Sequence, residues 1–143
     1  MIPIVAEFYQ RFRTLGLRGT PMDDDEVKRL QQHLGLPLPA AYRAYLAIAG
    51  SMPPPCLIGS DCHGTFLYKL RDGAIDLLRE MDSPLSLPDD ALVFFMHQGY
   101  QFFFICTADG IDDPEVFYYF EGRTSFEMSD DRFSDWVADI ARS

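Results

Sequence analysis

Apolar positions recur along this chain with two different periods. In the first third the spacing is three or four. Ile4, Val5, Phe8, Phe12 and Leu15 form a stripe that predicts an amphipathic helix over Ile2–Leu15, with Gly16 and Gly19 bracketing the loop that follows. Val27, Leu30 and Leu34 form a second stripe. That helix begins near Thr20-Pro21-Met22-Asp23, where Thr20 and Asp23 can each act as the cap, because each is followed three residues later by an acid, Asp23 or Glu26. Acids over Asp23–Glu26 suit the positive end of the helix, and Gly35 stops it. Leu36-Pro37-Leu38-Pro39 is held extended by its prolines. Pro39 suits the first turn of a third helix, Ala40–Ala49, which turns Tyr42, Tyr45, Leu46 and Ala49 inward and ends at Gly50.

Beyond residue 50 the pattern changes. Ser51–Pro55 is Pro-rich and cannot join a central strand. Cys56–Ile58 and Thr65–Leu70 are expected as short strands. Ala74–Met81 is expected as a short helix, with Ile75, Leu78 and the stem of Arg79 facing inward. Three apolar runs follow: Ala91–Met96, Tyr100–Cys106 and Val116–Phe120. They hold ten of the chain's 20 aromatic residues and are apolar on both pleat faces, so they predict central strands covered at least partly on both sides. His97-Gln98-Gly99 has the length and the glycine of a hairpin link, and Thr107–Pro114 is an acidic turn. A last short strand is expected around Ser125–Met128. Ser129 or Asp130 then caps a helix over Asp131–Arg142, whose stripe is Phe133, Trp136, Val137 and Ile140.

Composition adds limits to this picture. The 143 residues, 48% hydrophobic and 24% charged, suffice for one folded domain, residues 1–143, with a real core. No apolar run approaches the roughly 20 residues that span a bilayer, and the N-terminus lacks the basic and cleavage regions of a signal peptide. A cytoplasmic protein without membrane attachment is expected. Three cysteines, Cys56, Cys62 and Cys106, are too few and too irregular for a disulfide framework. The formal charge of −10 is uneven. Residues 1–71 carry eight Lys/Arg against six Asp/Glu, whereas residues 72–143 carry four against 16. That asymmetry argues against nucleic-acid binding, which needs a basic face over the phosphates, and permits a basic protein partner.

Candidate chemistry is sparse. Cys56, Cys62 and His63 lack the paired spacing of a zinc site, and no metal is expected. Cys62 with a distant His33 or His97 has no local group to orient a base. Asp109-Gly110-Ile111-Asp112-Asp113-Pro114-Glu115 does not match a calcium loop with ligands at alternate positions, and Asx turns explain its composition. There is no phosphate-binding loop or nucleophile elbow. No catalytic residue and no cofactor are assigned.

One ordered series of motifs remains. Val27-x-x-Leu30, Leu34-Gly35-x-x-Leu38-Pro39-x-x-Tyr42-x-x-Tyr45-Leu46 and Ala49-Gly50 come first. Leu87-Pro88, Val93-Phe94, His97-Gln98-Gly99-Tyr100, Asp113-Pro114-x-Val116-x-x-Tyr119 and Phe133-x-x-Trp136 come after. Over about residues 20–141 this series resembles the SUKH superfamily, which includes the fungal cell-wall-assembly regulator family and bacterial immunity proteins. The chain departs from the common pattern at Ala49, often Asn, and at Gln31, often Glu. The resemblance implies an α+β domain, a mostly antiparallel central sheet with N-terminal helices and a C-terminal helix packed on it. It also implies a non-enzymatic protein-binding role. The implied role is neutralisation of a cognate toxin, a nuclease with a basic surface being one candidate, or alternatively that of a regulatory scaffold module. Under it the partner-binding candidates are the carboxylates Asp109, Asp112, Asp113, Glu115 and Glu121, with Tyr100 and Tyr118 as aromatic anchors. His97 joins them by its position at the turn, against its simpler reading as a turn residue hydrogen-bonded to backbone.

Overall fold

The computed structural model describes residues 3–142. The expected first residue of the opening helix, Ile2, lies outside them. Five α-helices and five strands follow in the order α1 (Pro3–Thr14), α2 (Asp24–Leu34), α3 (Ala40–Ala49), β1 (Ser60–Asp61), α4 (Leu70–Glu80), β2 (Ala91–His97), β3 (Gln101–Cys106), β4 (Val116–Phe120), β5 (Glu127–Asp130) and α5 (Phe133–Ala141). The strands form one antiparallel sheet in sequence order, β1-β2-β3-β4-β5. This is the expected α+β architecture.

The sheet is covered on both faces, as its doubly apolar strands require. Phe103, on β3, faces the Trp136 indole of α5. A bulge between Val93 and Phe95 turns two successive residues to that same side, so Phe94 and Phe95 both reach Trp136, with ring centroids 4.9 and 5.9 Å away. Phe94 also meets Tyr42 of α3 and Phe133 of α5. Side chains alternate along a strand, so Phe102 and Phe104 point to the other face, with Tyr119 and Phe126 against them. Met96, paired with Phe102, lies there beside Gly73 of α4.

Helix α3 is buried on nearly all sides, from Ala40 to Ala49, with only Arg43 and Ala47 partly exposed. It sits between α1 and the layer formed by α5 and the sheet, which explains its run of alanines: small side chains let the helices approach.

Several expectations change. Cys56–Ile58 is not a strand; Pro55–Leu57 forms a 3-10 turn, because consecutive prolines lack the N–H groups a ladder needs. Thr65–Leu70 is not a strand either. Gly64–Tyr68 is 3-10 and α4 begins at Leu70, before the expected Ala74. Leu67 and Leu70 are buried while Phe66 is exposed, a period of three rather than two. The Arg79 side chain does not pack inward; it is 78% exposed and pairs with Asp76. The last strand is Glu127–Asp130, so Ser129 and Asp130 belong to the sheet and do not cap α5.

Candidate interaction surface

The strand directions decide which polar groups can act together. β2 and β4 run one way, β3 and β5 the other, so the hairpin after β2 and the turn after β4 lie at one end of the sheet. The loop between β3 and β4 lies at the opposite end. β3 has six residues, which separates the two ends by about 20 Å at roughly 3.3 Å per residue.

At the hairpin end, Gln98, Gly99 and Tyr100 link His97 to its strand partner Gln101, and Gln98 and Gly99 both have positive φ, 50° and 75°. His97 Nδ1 lies 2.8 Å from the Ser60 hydroxyl and ties β1 to β2. This is a structural brace, though to a side chain rather than to backbone. The His97 ring stands edge-on to Tyr100, and Tyr100 meets Phe120, each pair with centroids 5.5 Å apart. The Glu121 backbone N–H donates to the Tyr100 carbonyl at 2.9 Å, so Glu121 is held beside this aromatic group with its side chain exposed.

At the opposite end the acidic loop is docked onto two helices. The Ala41 N–H of α3 donates to the Asp112 carbonyl at 2.9 Å. Asp113 accepts from the Ser134 N–H at 2.8 Å and from the Ser134 hydroxyl at 2.6 Å, and the Phe133 N–H donates to the Pro114 carbonyl at 2.7 Å. Asp113 is therefore the cap of α5, supplied from a distant loop, and its carboxylate is engaged within the fold. Asp109, Asp112 and Glu115 are exposed and, among the described residues, make no side-chain hydrogen bond or ion pair. Asp90 accepts from the backbone N–H groups of Thr107 and Ala108 and fixes the start of the same loop.

Tyr118 belongs to neither end. It sits within β4, half-buried, stacked on Phe103 with centroids 5.5 Å apart. The structure thus brings His97, Tyr100 and Glu121 together, brings Asp109, Asp112, Asp113 and Glu115 together, and keeps the two groups apart. Four residues absent from the sequence-based set link them. β5 runs beside β4 from Glu127, opposite Tyr118, to Asp130, opposite Val116, with Glu127, Met128 and Ser129 exposed. A short charged strand at the end of a meander is the sequence signal that marks such an edge.

Two of the three thiols, those of Cys62 and Cys106, are not set up for chemistry. Burial, then the nearby Asp61, pushes the Cys62 thiol up to about 12. Burial, then Asp90, pushes Cys106 up to about 11. Both are protonated at neutral pH and poor nucleophiles. His33, one base considered for Cys62, stands against the ring of Tyr68, and His97 is engaged by Ser60. Among the described residues no group of three or more His, Cys, Asp or Glu is arranged to hold a metal ion, and no helix is long and apolar enough to cross a membrane.

A concavity of about 730 Å³ lies between α4 and the segment leading into β2, with Ile75, Leu78, Leu85 and Leu87 among its lining. Of its two arginines, Arg71 donates to the carbonyls of Ala91 and Pro88 and so braces β2, while Arg79 pairs with Asp76. Asp82, Ser83, Ser86 and Asp89 complete its polar lining.

A protein-family model described as SMI1 / KNR4 family (SUKH-1) matches residues 21–139. No curated protein matches the chain.

Proposed function

The chain belongs to the SMI1 / KNR4 family (SUKH-1), a family of generally non-enzymatic protein-interaction domains, and on that premise we propose that it is a cytoplasmic immunity protein that binds and neutralises a toxin domain. The observation that carries this reading beyond the family is the charge segregation, 16 Asp/Glu against four Lys/Arg in residues 72–143. A nuclease toxin must present a basic surface to phosphates. An acidic protein covers such a surface and is steered onto it by the opposite field. The exposed carboxylates of Asp109, Asp112, Glu115 and Glu121 supply that field, and the Tyr100–Phe120 pair supplies aromatic contact area at one end.

The test is genetic. The product of a neighbouring gene, expressed alone, is expected to stop growth, and co-expression with this chain to restore it. An adjacent product that is harmless, or a toxic one that this chain does not counter, removes the immunity role. Recovery of an endogenous housekeeping protein on the same surface would then assign the regulatory scaffold role instead.

A further inference from the structure

We propose that the outer edge of β5 is a docking rail that takes an extended segment of a basic protein as a sixth strand of the sheet. The inference deepens the binding role above and rests on it for the partner's being a protein.

The first observation is the free edge. Among the described residues β5 pairs only with β4, and no backbone hydrogen bond outside that pairing involves residues 127–130. Its outward N–H and C=O groups face water, since Glu127, Met128 and Ser129 are exposed. Such a row is a template for strand addition, in which main-chain hydrogen bonds give affinity and alternate side chains give choice. The other edge differs. β1 has two residues, Ser60 is 6% exposed, and the Ala91 carbonyl farther along β2 is taken by Arg71.

The second observation is what the edge refuses. Residues 115–131 hold five carboxylates, at Glu115, Glu121, Glu127, Asp130 and Asp131, against one cation, Arg123. An antiparallel second copy would set Glu127 and Asp130 against their own kind, and like charges directly opposite are destabilising. The register shift at Ser129, where Val116 pairs with Asp130 and Phe117 with Met128, further blunts unselective pairing. A strand with Lys or Arg on its flanking positions meets the reverse field. Met128, 48% exposed beside Phe117, gives it an apolar contact.

The third observation is position. β5 is the element that spans from the turn carrying Glu121 to the loop carrying Glu115, so a strand laid along it approaches both acidic groups at once.

The test uses the whole chain, isotope-labelled, titrated with two end-blocked octapeptides, one alternating Lys and Thr, the other alternating Glu and Thr. The Lys peptide is expected to shift the amides of residues 127–130 and to slow their hydrogen exchange about tenfold or more, a local protection that strand pairing confers. The Glu peptide is expected to do neither, and Glu127→Lys to abolish the effect with an unchanged melting temperature. Shifts at residues 109–115 with 127–130 unmoved would overturn the proposal. So would a peptide-free dimer that protects 127–130, since the edge would then belong to a second copy. Toxin rescue by Glu127→Lys equal to that of the unmodified chain would remove the rail and leave immunity standing. Strand addition without any rescue by the unmodified chain would do the opposite.

Discussion

The Asp113 carboxylate reaches across 21 residues of sequence to receive both the backbone N–H and the hydroxyl of Ser134. It satisfies the first turn of α5, which has no side-chain cap of its own at Arg132. Asp113→Ala should cost about 1–2 kcal/mol by loss of a cap and exposure of a buried hydroxyl, measurable in urea unfolding, whereas Asp109→Ala, with no such partner, should leave the midpoint unchanged. Asp130 carries the opposite sign. Burial, and then a hydrogen bond and charge from Asp139, outweigh the Ser129 hydrogen bond and raise its pKa above 3.8. A carboxyl raised in the folded state binds more protons there than in the unfolded chain. Its contribution to stability therefore falls as pH rises from 3.8 through the folded value. Asp130→Asn should raise the melting temperature at pH 7, and the gain should shrink as pH falls towards 3.8 or below. An equal gain at both pH values would assign the effect to something other than ionisation.

At the level of elements, two glycines that end helices do so for different reasons. Gly35 after α2 has φ 66° with nothing near the position of a Cβ, so only its left-handed conformation matters. Gly50 after α3 has an ordinary φ of −68°, but a Cβ would lie 2.7 Å from the Leu46 carbonyl oxygen and from the Met22 side chain. Gly35→Ala should cost about 1–2 kcal/mol from the left-handed penalty, and Gly35→Asn less. Gly50→Ala should cost about 1–3 kcal/mol from overpacking, and Gly50→Asn no less than Gly50→Ala. Denaturant melts of the four variants read both contrasts. Sequence told these elements apart only where their causes were local. The capping box of Asp23 and Glu26, with bonds of 2.8 and 3.4 Å, is written within four residues, and the structure takes it over the other candidate cap, Thr20, which bridges to Met52 instead; the end at Gly35 was legible. The cap of α5 was not, because its acceptor, Asp113, lies in another loop. The stretch from Gly64 to Leu70 misled because β-prone Thr, Phe and Tyr sit on a chain whose buried Leu67 and Leu70 are three apart. Glu127 and Asp130 on β5 were not picked out, but the carboxylates of the two sheet ends were visible in the sequence. Their division between two ends of the sheet follows from counting strands in an antiparallel meander, which the hairpin and the acidic turn already implied.

For the molecule as a whole, the question is how charge and contact divide the labour of binding. The carboxylates of Asp109, Asp112, Glu115 and Glu121 lie at both ends of the sheet, and among the described residues none of them is engaged by a partner side chain. Charges of this kind act over about 8–10 Å at moderate salt, so they change how often a basic partner arrives in register more than how long it stays. Contact at β5 and at the Tyr100–Phe120 pair acts only after arrival. Neutralising the four as Asp109→Asn, Asp112→Asn, Glu115→Gln and Glu121→Gln should therefore leave thermal stability nearly unchanged. It should lower the association rate with the proposed toxin partner by about tenfold or more at low salt, and flatten the salt dependence of that rate. Dissociation should move much less. Glu127→Lys should do the converse, with a faster dissociation that persists at high salt, because it breaks strand contact. Stopped-flow association at several ionic strengths separates the two. If the fourfold variant instead sped dissociation and kept its salt slope, the loop carboxylates would be contact residues, and the partner would sit on the ends of the sheet rather than along its edge.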